Sequence, residues 1–438
     1  MCGIAAVING DEYVAASMGA AIHRRGTHST ITSVENLTVY FTHLPITNDD
    51  YSQPCRYKDV TLWLNGYISN WNELCSEFSL IAESDTELLV WWVSHKMPLE
   101  RLNGFFAVLY HDSNGIHYFT DRYGIKQLYI FKQGRTTYIC SEVKGIKAVV
   151  NLKVDFDGLQ DWNHSLGVMN PNTIYAGVRR VERLPFPKPN KREVDYETAK
   201  RELKRLWLQS VERNRYDGAG CYLSGGVDSG IIAKWLNPKY CFSMDYLNEL
   251  SEVEGIKENS TGIHFTMICN EHFRNEYASK TFNALDDLKA GSCYTNFALA
   301  ELASKHCKVV YSGAGGDEVF NGYTHRYSRL IEDVIKRAET DGKHYDVTHK
   351  EYDWKFLQAV LVVEDRMGGY HTMETRYPLL DNDFVDYALS LPNEYLDNKR
   401  ILKDISGLSE TVLNGKKRGF SNPHFNNQQW IDLAITTL

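Results

Sequence analysis

The chain has no run of apolar residues long enough to cross a bilayer, and no basic segment leading into a long apolar core at its start. A membrane span and a secretory signal are therefore not expected. It has no excess of positive charge either: 48 Lys and Arg stand against 56 Asp and Glu, a net charge of −8. That argues against a general nucleic-acid binder and a polybasic membrane protein, while leaving room for a local cationic site. The nine cysteines are an odd number, are scattered, and include no C-x-x-C pair. Neither a disulfide framework nor a zinc site is indicated, and a reducing cytoplasm fits best. Repeats, low-complexity tracts and the G-x-x-x-x-G-K-[ST] phosphate loop are all missing. What remains is ordinary globular material, 43% apolar and 24% charged over 438 residues, enough for two or three domains.

The first third reads as short strands divided by turn residues: "GIAAVI", "TLWLNGYI", "FFAVLYHD", "GIHYFTD" and "LYIFKQG". A helix is expected within "ESDTELLVWWVSHK". Next, Pro185, Pro187 and Pro189 alternate in "RLPFPKPNKREVD", a linker candidate. Asp195 then reads as a helix N-cap, followed at helical spacing by Ala199, Leu203, Leu206, Trp207 and Val211. "AGCYLSGGVDSGIIAKWL" reads as strand, glycine turn and helix, and "CKVVYSGAGGDEVF" repeats that pattern. Alternation of this kind predicts a parallel α/β sheet in the second half. From about Trp354 onward the chain reads as mainly helical.

Two stretches carry chemistry. The chain opens "MCGI". Removal of Met1, which a small residue at position two allows, would give Cys2 a thiol and a free α-amine. The amine has an ordinary pKa of roughly 7.7–8.0, so it can serve as the thiol's base. Position alone better fits a small buried thiol at the start of a strand. The second stretch is "SGGVDS", Ser224 to Ser229. Gly225 and Gly226 allow a sharp turn and close approach of a ligand. The helix behind them offers open N–H groups suited to phosphate, with hydroxyls from Ser224 and Ser229. Asp228 has the wrong charge for phosphate, which suggests a Mg²⁺ between them.

Taken together, these segments resemble the glutamine-dependent asparagine synthetase family. S-G-G-x-D-S is similar to the pyrophosphate loop of ATP pyrophosphatases, and M-C-G-I to the start of class II glutamine amidotransferases. "NGY" (Asn65, Gly66, Tyr67) stands where the family has N-G-E, and "SDTE" matches S-D-x-E. "LNGFFAVLYHD", "DRYGIKQLYI", "SEVKGI", "SGAGGDEVFNGY", "METRYPLLD" and "KKRGF" follow in the family's order. The resemblance implies two domains, α+β then α/β. Residues 1–190 would form an αββα N-terminal-nucleophile glutaminase sandwich. Residues 191–438 would form a parallel-sheet ATP-pyrophosphatase domain. Cys2 would attack glutamine, Asn65 and Gly66 would hold the oxyanion, and Asp85 would hold the α-ammonium, with Tyr67 and His43 lining the glutamine site. ATP would lie on Ser224, Gly225, Gly226, Asp228, Ser229, Ser312 and Gly313. Asp228 and Asp317 would carry Mg²⁺. Lys417 would meet the phosphates or the developing charge, with Lys416 or Arg418 taking its place if the register slips by one.

The implied reaction adenylates the side-chain carboxylate of aspartate and amidates it with ammonia from glutamine. Glutamine, aspartate and ATP would be the partners, with no nucleic acid or membrane, and the resemblance leaves a homodimer open. Simpler roles stay open for single residues: "NG" is a common hairpin turn, and Asp85 suits a helix cap. Three departures from the family pattern also stand. Thr27 and His28 replace Pro-Asp after Arg25-Gly26. His43 replaces an arginine expected to grip the glutamine carboxylate, leaving Arg24 or Arg25 to fill in. Ala314 replaces the glutamate of S-G-E-G, and Glu318 matches the family's second acid. Two alternatives follow: an amide ligase for a different carboxylate, or a non-catalytic relative with a decayed glutaminase.

Overall fold

The computed structural model describes residues 2–46, 53–165, 173–186, 189–245, 260–269, 272–285, 293–323, 326–340, 342, 344 and 348–415. The chain divides into two compact units. One comprises residues 1–160, 170–186 and 368–373. The other comprises 161–169, 187–367 and 374–438.

Among the described residues, the first unit is built from ten strands in two antiparallel sheets. They are β1 (Gly3–Ile8), β2 (His28–Val34), β3 (Leu37–His43), β4 (Cys55–Tyr57), β5 (Val60–Ile68), β6 (Gly104–Asp112), β7 (Gly115–Thr120), β8 (Tyr129–Gln133), β9 (Thr136–Cys140) and β10 (Arg179–Arg180). The six-stranded sheet runs β10-β8-β9-β1-β3-β2 and the four-stranded sheet β4-β5-β6-β7. Strand periodicity decides what each face buries. On β6, Ala107 and Leu109 join Ile4, Ala6, Val39, Phe41, Trp63 and Ile139 in the core between the sheets. Phe106 and Val108 point the other way, into a second core with Leu62, Leu64, Leu74, Leu88, Leu89 and Trp92. The helices Trp71–Phe78 and Asp85–Ser94 cover that outer face, and Glu12–Ala21 covers the six-stranded sheet. The result is helix, sheet, sheet, helix. Each fully buried Leu, Ile, Val or Phe contributes about 1.5–3 kcal/mol relative to exposure.

The second unit is built on β11 (Gly220–Tyr222), β12 (Tyr240–Asp245), β13 (Ile263–Ile268), β14 (Val309–Tyr311) and β15 (Glu374–Arg376), in the order β13-β12-β11-β14-β15. Every pairing is parallel. Asp195 caps the helix Tyr196–Asn214, its carboxylate accepting from Thr198 N at 2.9 Å. Ala199, Leu203, Leu206, Trp207 and Val211 are buried, as the spacing predicted.

The described residues after Trp354 are mainly helical, as expected, and one short strand, β15, interrupts them. Its three residues are Glu374, Thr375 and Arg376, all buried, with Arg376 Nε donating to Glu374 Oε1 at 2.8 Å. A strand this short and polar leaves no alternating apolar signature, and only its neighbour β14 and the internal ion pair make it a strand.

Candidate active sites

In the first unit, Cys2 and Asn65 meet because both lie on inner sheet faces. Cys2 shares its face of β1 with Ile4 and Ala6, and Asn65 shares its face of β5 with Trp63. Cys2 N donates to Asn65 Oδ1 at 3.1 Å. With Met1 attached, Cys2 N is a backbone N–H that can only donate, and the contact turns the Nδ2 end of the Asn65 amide away from it. Asn65 is fully buried and its Nδ2 has no hydrogen-bond partner. A buried amide donor left unsatisfied costs about 1–3 kcal/mol, and here it lies beside the thiol residue. A preplaced, unsatisfied donor of this kind suits a developing oxyanion. Gly66 follows with φ +140, and a Cβ there would lie 2.0 Å from Phe105 O. Only glycine lets β5 and β6 approach this closely at that backbone angle.

Asp85 is buried at the first position of its helix, and its Oδ2 accepts from Ile68 N at 2.9 Å. The surrounding "SDTE" is also a capping arrangement. Ser84 Oγ accepts from Glu87 N at 3.2 Å, and Glu87 reaches back to accept from Glu83 N at 2.7 Å. Asp85 is thus held at the end of the strand that carries Asn65, Gly66 and Tyr67.

Arg25 is buried, with Nε donating to Cys2 O at 2.8 Å and Nη1 paired to Glu142 Oε1 at 2.7 Å. It clamps the Cys2 backbone. Arg24 is exposed, with its guanidinium 4.5 Å from the Tyr370 ring centre. Burial pushes the His43 imidazole down to about 4, and neighbouring positive charge, including His28, adds to the shift. His43 is therefore neutral at pH 7 and offers no charge to a carboxylate. His28 pairs with His43 across β2 and β3, and Thr27 N donates to His43 O at 2.8 Å, so the altered "GTHS" is a strand entry.

The "DRYGIK" motif is a scaffold. Asp121 accepts from Tyr123 N, Ile125 N, Lys126 N and Phe106 N at 3.0–3.2 Å. Burial pushes its carboxyl up to about 6, and these four amides pull against that rise.

In the second unit, the sheet order reverses between β11 and β14. Ligands of open α/β sheets bind at such a point, beyond the strand C-termini. The loop after β11 is Ser224–Gly226 and the loop after β14 is Ser312–Gly315. Gly226 caps the helix Val227–Leu236 without a side-chain bond, so its first amides stay available for phosphate. Ser224 and Ser229 bond each other, with hydroxyls 3.0 Å apart and Ser224 N donating to Ser229 Oγ at 3.1 Å. The expected phosphate hydroxyls therefore also tie the loop together. Gly313 packs on Asp228 and Ser229, which joins the two loops.

Asp228 and Asp317 do converge, and a residue that the sequence reading missed lies between them. Lys399 Nζ pairs with Asp317 Oδ1 at 2.6 Å and also with Asp228 Oδ2. Burial alone would lower this ammonium's pKa, but the two carboxylates outweigh it and raise the pKa above the ordinary lysine range. Two hard carboxylate oxygens that already hold a cation form a donor set that suits Mg²⁺, which favours one or two carboxylates plus phosphate. No group of three or more His, Cys, Asp or Glu suited to a metal occurs among the described residues. The residues fit a divalent cation that shares its shell with a nucleotide. Lys399 gave no sequence signal, being one lysine in the polar turn "LDNKR".

Around Ala314 the loop keeps its shape, with Ala314 N donating to Ser312 Oγ at 3.3 Å. Glu318 is buried and receives the Tyr323 hydroxyl at 2.5 Å. Burial, then Asp317, pushes its carboxyl up to about 8. A second acid, Glu364, comes from the helix His349–Tyr370 and faces Ser312 and Tyr377, and burial pushes it up to about 7. Its sequence signal was available: Glu364-Asp365-Arg366 interrupts an apolar helical stretch. Lys416, Lys417 and Arg418 lie outside the described residues.

Comparison with known proteins adds to this geometry. A glutamine amidotransferase domain model matches residues 1–196. An asparagine synthase model matches residues 203–339 and 336–434, more than half of the chain. The chain belongs to the asparagine synthase family. Relatives within this family include the putative asparagine synthetase [glutamine-hydrolyzing] 1 of Methanocaldococcus jannaschii. It is 29% identical, over 88% of this chain and 75% of that one. Asparagine synthetase [glutamine-hydrolyzing] 1 of Bacillus subtilis is 28% identical, over 97% and 87%. The Gallus gallus asparagine synthetase [glutamine-hydrolyzing] is 24% identical, over 90% and 78%.

Proposed function

We propose that this family member is a glutamine-hydrolysing asparagine synthetase that acts on glutamine, aspartate and ATP in a reducing cytoplasm. The observation that carries the reading is the Cys2–Asn65 pair with its unsatisfied amide donor, in the same chain as the converging Asp228 and Asp317. The Cys2 sulfur attacks the side-chain amide carbon of glutamine, and the amine released from Met1 carries the proton. Asn65 Nδ2 and the Gly66 amide receive the oxyanion. Ammonia leaves, and water hydrolyses the thioester to glutamate. Asp85 binds the substrate ammonium, and Tyr67 and His43 line that site.

In the second unit an aspartate carboxylate oxygen attacks the α-phosphorus of ATP, and pyrophosphate leaves. Ammonia then displaces AMP from the acyl-adenylate. Ser224, Gly225, Gly226, Ser229, Ser312 and Gly313 orient the phosphates. A Mg²⁺ held by Asp228 and Asp317 supplies charge neutralisation to them. Lys417 is assigned to the same phosphates.

Ala314 favours a second reading, an amide ligase whose acceptor is another carboxylate. Product analysis with Mg-ATP and aspartate separates the two. Asparagine, AMP and pyrophosphate are expected with glutamine and with ammonium. Asparagine from ammonium alone would mean that neutral His43 leaves the glutaminase without its grip. Asparagine from neither would overturn aspartate as the acceptor.

A further inference from the structure

The clearest unexplained feature of the second unit is Lys399. It is buried, and its ammonium spans Asp228 Oδ2 and Asp317 Oδ1. Its backbone is unusual as well. Asn398 and Lys399 have φ +53 and +60, a left-handed pair without glycine. Such a conformation persists only where its surroundings hold it. Here Asn398 N donates to Asn321 O at 3.2 Å and Lys399 N to Phe320 O at 3.0 Å. The lysine is thus docked on the segment that follows Asp317. Gly322 completes the slot: a Cβ there would lie 2.1 Å from Asp317 Oδ1 and 2.3 Å from Lys399 Cε.

We propose that Lys399 is an internal counter-ion that closes the Asp228–Asp317 pair to a lone divalent cation and yields it only to a cation arriving with a polyphosphate. The inference rests on the assignment of these two aspartates as the metal carboxylates. Two carboxylates and one ammonium carry a net charge of −1. A dication entering with the ammonium in place would sit against a like charge in a poorly solvated slot. If the ammonium withdraws instead, it loses both partners, and a buried unpaired charge is costly. A polyphosphate removes that difficulty, because its oxygens accept the displaced ammonium as the cation takes the carboxylates.

Binding of Mn²⁺ to the full chain, read from the spectrum of the free ion and with no turnover, tests this. Without nucleotide, Lys399→Met should bind Mn²⁺ at least about tenfold more tightly than the wild type, equivalent to about 1.4 kcal/mol. Equal affinities in the two proteins would overturn the proposal. If Lys399→Met does not fold, the wild type alone decides against Asp317→Asn. The proposal expects Asp317→Asn to leave nucleotide-free Mn²⁺ binding unchanged, since a lone ion does not use the pair. Loss of wild-type Mn²⁺ binding on that substitution overturns it. The assignment of the site itself is checked separately, by Mn²⁺ with ATP. That binding should occur in the wild type and be lost in Asp228→Ala, and its absence from the wild type would overturn the site and this inference together.

Discussion

The two units place reactive groups by opposite means. In the sandwich, Asn65 lies on β5 and Cys2 directly precedes β1, and the two-residue period places both on inner sheet faces. In the parallel-sheet unit, Asp228 and Asp317 lie just beyond strand ends, on helices that start at a sheet switch point. A strand site is set by register, so one backbone clash disturbs it. A loop-and-helix site is set by charge balance, which is why a lysine was needed there and a buried arginine clamp here. Arg25 holds a backbone carbonyl and one acid, whereas Lys399 holds two acids.

The sharpest way to separate the units is Cys2→Ala. Glutamine-dependent product should fall by on the order of 10⁴ or more, as for loss of other catalytic nucleophiles, while ammonium-dependent product persists. Loss of both would show that the units do not work independently. Asn65→Ala should lower glutamine-dependent kcat by about 10²–10³-fold and spare ammonium use. An unchanged kcat would remove Asn65 from the oxyanion site.

Gly66→Ala tests register against charge. The 2.0 Å approach to Phe105 O cannot be absorbed by a side-chain shift, so unfolding should show a loss of about 1–3 kcal/mol or more. A wild-type melting temperature would contradict the tight β5–β6 contact.

The smallest effect concerns His43. Its folded pKa, about 4, lies below the ordinary 6.5, so the unfolded chain binds more protons between those values. Stability from this group is complete above about pH 6.5 and is lost as pH falls towards 4. His43→Gln should flatten that part of the stability profile. His43→Arg should lower KM for glutamine if a missing guanidinium is what weakens the grip.

Much of this was legible in the chain. The strands of the first third, the Asp195 cap and the two glycine loops were all marked by periodicity or turn residues. The motifs named Cys2, Asn65, Asp85, Asp228 and Asp317. Their partners were less legible. β15 is too short and polar to show a pattern. Lys399 stands 171 residues from Asp228 in sequence, beyond the reach of any local motif. The neutrality of His43 comes from burial, which its sequence neighbours "THLPI" do not reveal.

The sequence by itself determined which reactive groups are carried, because the cysteine, glycine loops and acids are identities that no folding step changes. Only the tertiary structure decided how those groups are paired and charged. Asn65 was left with an unsatisfied donor, Arg25 was tied to Cys2 O and Glu142, and Lys399 was paired with two distant acids. The physical reason is that hydrogen-bond satisfaction, desolvation and Coulomb interactions depend on distances through space, and those are fixed only when the sheets close.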